Sequence, residues 1–206
     1  MHCHRRGSPD MTQLRASLHP FAKKFLWNLK YGILGYPRLM APGDVLRYFS
    51  MQRIANGSLL DLGCGRGSLI QELRKAGWMG CYCGVDISKE AINDARKTAD
   101  QRCSWVVSDI ESFRSSLKWD TIVMVESIYY VRLELIPTLL ERLLEMLEEQ
   151  GALLIRLHDA RKFSNYWEMI RQTCPQVEKI SDSLSCIHGS NCRDQHIGSH
   201  YRSQNP

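Results

Sequence analysis

The ten residues Leu59-Leu60-Asp61-Leu62-Gly63-Cys64-Gly65-Arg66-Gly67-Ser68 constrain the fold more than any other stretch of the chain. An apolar run of strand type passes directly into glycines at every second position, and an amphipathic segment follows. Glycine has no Cβ, so such a turn lets a ligand lie against the backbone at the N-terminus of the next helix. The spacing also excludes two common sites. A dinucleotide fingerprint would need glycine at position 68, where Ser stands, and a phosphate-binding P-loop would need a Lys-Ser/Thr pair that is missing.

From Leu59 onward, short runs rich in Val, Ile and Leu alternate with amphipathic stretches, the pattern of βα units around a parallel sheet. Strands are expected over 58–62, 81–87, 104–107, 120–127 and 152–158, with a sixth over 177–181. Helices are expected over 68–76, over 89–99 with Ser88 as N-cap, over 133–149 with Gly151 just past the end, and over 161–173, stopped by Pro175. Upstream, 21–31 and 42–54 read as two helices around a turn-rich segment, together forming a cap over 19–56. Residues 1–18 read as disordered, 57–182 as the core and 183–206 as an irregular tail with few aliphatic side chains. Residues 184–187 make a poor seventh strand on this reading.

A chain of 206 residues, 44% hydrophobic and 24% charged, suits one soluble globular domain. Its most apolar run, Thr121 to Val125, is cut off by Asp120 and Glu126, far short of the roughly 20 residues a spanning helix needs. Arg5 and Arg6 are followed by no apolar stretch, unlike a secretory signal, so a cytoplasmic location is expected. Cysteines scattered through strand-like segments (Cys81, Cys83, Cys103) and the glycine turn (Cys64) read as reduced thiols. The net charge of +5 is uneven, because residues 1–60 hold nine Lys/Arg against Asp10 and Asp44. That basic third is either a solvated face or a surface for an anionic partner, with nucleic acid the less favoured.

Further motifs stand at the strand ends. Asp86 closes the second strand in Gly84-Val85-Asp86-Ile87-Ser88, and Ser108-Asp109-Ile110 closes the third. Trp119-Asp120 opens the fourth, which Glu126-Ser127-Ile128-Tyr129-Tyr130 closes. Over about residues 57–160 the combination resembles class I S-adenosylmethionine-dependent methyltransferases. The resemblance implies a doubly wound, mostly parallel Rossmann-like α/β sheet with helices on both faces and a helical N-terminal cap. Its strand order would be 3-2-1-4-5, then strand six, with any seventh antiparallel between five and six.

The same resemblance implies S-adenosylmethionine as cofactor. Gly63, Cys64, Gly65 and Gly67 would cradle it, Asp86 beside Ile87 would accept from two ribose hydroxyls, Asp109 and Ile110 would meet the adenine, and Glu126 would face the methionine end. Two roles stay open for Asp61: binding the cofactor's amino group through water, or accepting from the turn's own amides. Asp120 reads as structural, fixing the start of its strand.

The implied activity is methyl transfer to an O or N nucleophile of a small molecule, since the chain has little beyond core and cap. It also lacks the Asn/Asp-Pro-Pro-Tyr/Phe motif of amino-methylating nucleic-acid enzymes. An in-line displacement needs the nucleophile held about 3 Å from the methyl carbon and shielded from water. A hydroxyl or protonated amine needs a base as well, and Tyr130 and His158 are the strand-end candidates. Tyr36 and Tyr129 are the substrate candidates, with Tyr31 another cap residue in reach, while packing in the core is the alternative for Tyr129. The basic cap suits an acidic or phosphorylated acceptor. Methylation of RNA or protein, and a non-catalytic S-adenosylmethionine-binding module, are the rival readings. Cys186, His188, Cys192, His196 and His200 carry zinc-ligand chemistry, but their spacing matches no standard finger and no metal is expected.

Overall fold

The computed structural model describes residues 16–33, 43–51 and 57–189. Tyr36, Cys192, His196, His200 and nearly all of the segment expected to be disordered lie outside the described residues. Within that last segment Ala16 is described, and it is buried.

Among the described residues, the α-helices and strands follow in chain order as α1 (Pro20–Gly32), α2 (Gly43–Met51), β1 (Ser58–Leu62), α3 (Ser68–Lys75), β2 (Cys81–Asp86), α4 (Lys89–Arg96), β3 (Cys103–Val107), β4 (Trp119–Val125), α5 (Ile136–Glu145), β5 (Leu147–Arg156), α6 (Ser164–Thr173), β6 (Glu178–Lys179) and β7 (Leu184–His188). The sheet runs β3-β2-β1-β4-β5-β7-β6. The first five strands pair in parallel, and β7 lies antiparallel between β5 and β6, as the resemblance implies.

Alternation along the strands divides the core. On one face Leu60, Leu62, Ile122, Met124, Leu153 and Ile155 pack with α5 and α6. On the other, Leu59, Tyr82, Val123 and Leu154 pack with α2, α3 and Ile92 of α4. Burial on both faces is why the strands read as continuous apolar runs. Local chemistry sets the helix starts: Ser88 Oγ accepts from Ala91 N at 3.2 Å to cap α4, and α1 and α5 each carry proline in the first turn. Asp120 does fix its strand, accepting from the Ser58 amide at 2.7 Å and hydroxyl at 2.8 Å, which pins β1 to β4. No described helix is long and apolar enough to cross a membrane.

Three sequence expectations are corrected. Residues 184–188, assigned to an irregular tail, form β7, with Leu184 and Cys186 on one face and Ile187 on the other, all fully buried. Small Ser and Cys side chains suffice there because both faces are already covered. The second N-terminal helix, expected in the cap, packs Val45, Tyr48 and Phe49 of α2 into the core against the sheet, and α1 is the described helix that covers the strand ends. The helix expected over 133–149 is a 3-10 turn at Leu133–Leu135 followed by α5, and the chain enters β5 at Leu147. Pairing shifts from Trp119↔Leu147 to Thr121↔Ala152, so Glu148, Glu149 and Gln150 bulge into solvent and imitate a helix's polar face.

Candidate active site

The glycine turn joins β1 to α3 and is shaped by what crosses it. Gly63 has φ +86°, and a Cβ there would stand 2.4 Å from the Cβ of Ser127, whose hydroxyl donates to Leu62 O at 2.6 Å. Gly65, φ +54°, lies under Tyr31 of α1, whose hydroxyl would come within 3.0 Å of an added Cβ. The turn's amides are largely spent internally: Gly63 N and Cys64 N donate to Val85 O at 2.8 and 3.0 Å, Gly67 N to Cys64 O at 3.0 Å, and Gly65 N to Asp86 Oδ2 at 2.9 Å. The turn is therefore a close-approach surface and not an anion nest.

Three carboxylates converge on one cavity at the carboxyl ends of the strands, where open α/β sheets bind ligands. Asp86, nearly buried, also accepts from Ser88 N at 2.8 Å, which leaves it two of about four acceptor positions. Burial pushes its pKa up to about 6, against the pull of those two amides. Asp109 accepts from Glu111 N through Oδ1 at 2.9 Å, while its Oδ2 is buried with no hydrogen-bond partner among the described residues. Glu126 has a left-handed φ of 54°, contacts Arg156 through Oε1, and meets His158 Nδ1 at 2.5 Å through Oε2. Ile87 and Ile110 supply apolar wall beside these acids.

Helix α1 roofs the cavity with one face, Lys23, Trp27 and Tyr31. Lys23 is buried and donates to Glu111 at 2.9 Å and to Tyr130 O at 3.2 Å. Arg66 holds the roof's far end by donating to Tyr31 O at 2.8 Å, and Asn28 accepts from Ser88 Oγ at 2.9 Å.

Both tyrosines after β4 line the cavity, because residues 128–130 form a 3-10 turn and not an extended strand. Tyr130 stands edge-on to Trp27 with ring centroids 4.9 Å apart, while Tyr129 stacks on Phe163 at 4.3 Å. Tyr166 braces this turn, its hydroxyl donating to the carbonyls of Tyr129 and Val131 at 3.1 and 3.0 Å. His158 is half exposed and stands behind Glu126, outside the cavity lining. Two of the sequence candidates stay in the core: Asp61 accepts from Tyr82 Oη at 2.7 Å, and Cys64 is a buried thiol. Burial, reinforced by the neighbouring Asp86 and opposed by the Tyr82 bond, pushes the Asp61 carboxyl to about 7.

Sequence reasoning missed Lys23 as a lining residue, Ser127, and the bracing residues Glu111, Arg156 and Asp44. Lys23, Trp27 and Tyr31 do recur at helical spacing, a signal that was available. The bracing partners lie far apart in the chain and left none.

The family described as methyltransferase domain matches residues 36–203. The chain belongs to this methyltransferase-domain family, and its fold is that of class I S-adenosylmethionine-dependent methyltransferases. Nodulation protein S of Rhizobium tropici is 33% identical over 84 residues, covering 38% of this chain and 32% of that protein. A putative methyltransferase of Geobacillus sp. (strain WCH70) is 27% identical over 165 residues, covering 73% of this chain and 65% of that protein. The chain thus spans less than two thirds of either curated relative's length. Among solved structures, magnesium protoporphyrin IX methyltransferase from Synechocystis PCC 6803 with bound SAM superposes with a TM-score of 0.58 at 15% identity, covering 83% of this chain and 97% of that one. The N-methyltransferase NodS from Bradyrhizobium japonicum WM9, in complex with S-adenosyl-L-homocysteine, gives 0.55 at 21% identity, covering 69% and 81%. At those identities the likeness is one of fold.

Proposed function

We propose that this domain binds S-adenosylmethionine beneath α1 and methylates an O or N nucleophile of a small molecule. The observation that carries the reading is the buried, unpartnered Oδ2 of Asp109, set in a cavity it shares with Asp86 and Glu126. A lone buried acceptor is costly unless a ligand donor satisfies it, and an adenine amino group is such a donor. The two unused acceptor positions of Asp86 suit a ribose diol, the Ile87 and Ile110 side chains suit the faces of a base, and Glu126 suits an ammonium group. Bound S-adenosylmethionine supplies an electrophilic methyl group on a sulfonium.

The chain's own residues do the rest. Trp27, Tyr31, Tyr129 and Tyr130 exclude water from the cavity. Glu126 at Nδ1 of His158 orients the ring and leaves Nε2 as the nitrogen that takes a proton, and because His158 stands outside the cavity lining it serves an acceptor that extends past Glu126. Tyr130 is the second candidate at the reacting atoms, and Tyr129 and Tyr36 are the acceptor-contact candidates. Asp86, Asp109 and Glu126 against Lys23, itself paired with Glu111, suit the cationic cofactor, and the basic N-terminal third suits an anionic acceptor. The magnesium protoporphyrin IX methyltransferase among the solved structures is named for a small-molecule acceptor, which supports this reading.

The test is formation of S-adenosylhomocysteine from S-adenosylmethionine over a panel of small amines, phenols and alcohols. Saturable turnover is expected, with His158→Gln slowing a hydroxyl acceptor by about a hundredfold. Methylation confined to RNA or protein, or cofactor binding with no product on any acceptor, overturns the reading.

A further inference from the structure

Arg156 is the last residue of β5 and carries no motif, yet four elements meet on it. Its carbonyl accepts the Glu126 amide at 3.0 Å, and it pairs with Leu184 of β7. Its largely buried guanidinium divides between two acids. Nη1 contacts Glu126 Oε1 at the cavity, and Nε donates to both oxygens of Asp44, in the first turn of α2, at 3.0 and 3.3 Å. Asp44 Oδ2 in turn accepts from Ser183 Oγ at 2.8 Å and Ser181 Oγ at 3.3 Å, on the turn that leads into β7.

Glu126 needs such support. A non-glycine residue at φ 54° persists only where its surroundings hold it there. Arg156 supplies two of those restraints, one to the backbone amide and one to Oε1, and His158 supplies a third at Oε2. Asp44 does not line the cavity, and it holds the Nε edge of the guanidinium while Nη1 meets Glu126. A planar guanidinium can span two carboxylates in fixed geometry, whereas an ammonium cannot.

We infer that Arg156 is a positioning residue that aims the Glu126 carboxylate into the cavity and ties that aim, through Asp44, to the seating of α2 on the sheet. This rests on the reading of the cavity as the cofactor site. Helix α2, buried in the core and away from the ligand, thereby sets the affinity of a site it does not line.

The test is calorimetric titration of the full chain with S-adenosylhomocysteine, comparing the wild type with Asp44→Asn, Arg156→Lys, Glu126→Gln and the Asp44→Asn/Glu126→Gln double variant. Thermal melts establish that each is folded. Asp44→Asn is expected to weaken binding by roughly fivefold, and that loss is expected to disappear in the Glu126→Gln background because the effect runs through Glu126. Arg156→Lys, keeping the charge but not the span, is expected to weaken binding while folding normally. If the wild type binds but Asp44→Asn stays within about twofold of it, or loses as much with Glu126 replaced as without, the positioning role is overturned. A wild-type chain that binds neither S-adenosylhomocysteine nor S-adenosylmethionine overturns the cofactor reading itself, and the positioning role with it.

Discussion

Lys23 of α1 and Glu111, which follows β3, form a 2.9 Å ion pair with side chains only 6% and 12% exposed. Removing one partner of a buried pair leaves a charge stranded and costs about 3–5 kcal/mol. Because α1 touches the body of the protein along one face, the loss should appear as local opening of the roof and not as global unfolding. Glu111→Gln is expected to speed hydrogen exchange across residues 24–32 while β1 and β4 stay protected. Replacing both partners, Lys23→Met with Glu111→Leu, is expected to restore protection.

Gly63 is held to glycine twice over, by its φ of +86° and by the Ser127 Cβ that would stand 2.4 Å away. The left-handed backbone costs a side chain about 1–2 kcal/mol and the overlap about 1–3 more. Gly63→Ala should therefore lower the unfolding free energy by roughly 3 kcal/mol in urea titrations. Adding Ser127→Gly is expected to recover part of this, since it removes the overlap but not the backbone strain.

Most of the fold was legible because the strands are buried on both faces and end in motif acids. Asp86, Asp109 and Glu126, which the family resemblance put at the strand ends, line one cavity. The misses share a cause: interactions set by long-range packing leave no local trace. Tyr48 and Phe49 in α2 look like ordinary amphipathic positions until β1 and β4 provide the surface they cover. Leu184 and Cys186 look like tail until β5 pairs with them. Arg156 reads as a polar interruption in an apolar run, and only the folded chain brings Asp44, 112 residues away, to its side.

The two buried carboxyls make stability and binding respond oppositely to pH. Burial raises Asp86 to about 6 and Asp61 to about 7, above the ordinary 3.8. Between about pH 4 and 7 the folded chain therefore holds more protons than the unfolded one, and these groups make stability fall as pH rises. Ribose hydroxyls donate to ionised Asp86, so affinity for S-adenosylhomocysteine should instead weaken by up to about tenfold per pH unit below pH 6. Melting temperatures and titrations over pH 5–8 check both signs, and Asp61→Asn should flatten the stability profile.

Asp109→Asn keeps the Oδ1 acceptor for Glu111 N and changes the group at the orphaned Oδ2 position. The unliganded protein should be unharmed, within about 0.5 kcal/mol of the wild type by chemical denaturation. Affinity for S-adenosylhomocysteine should fall by about tenfold or more, because an amide donor would face the adenine amino group.

The most direct measurement is calorimetric titration of the intact chain with S-adenosylhomocysteine, run beside Asp86→Ala. Binding at about the micromolar level by the wild type, lost in a variant that still melts cooperatively, is the predicted result. No heat of binding from the folded wild-type chain, or undiminished affinity in Asp86→Ala, would contradict the assignment of this cavity to the cofactor.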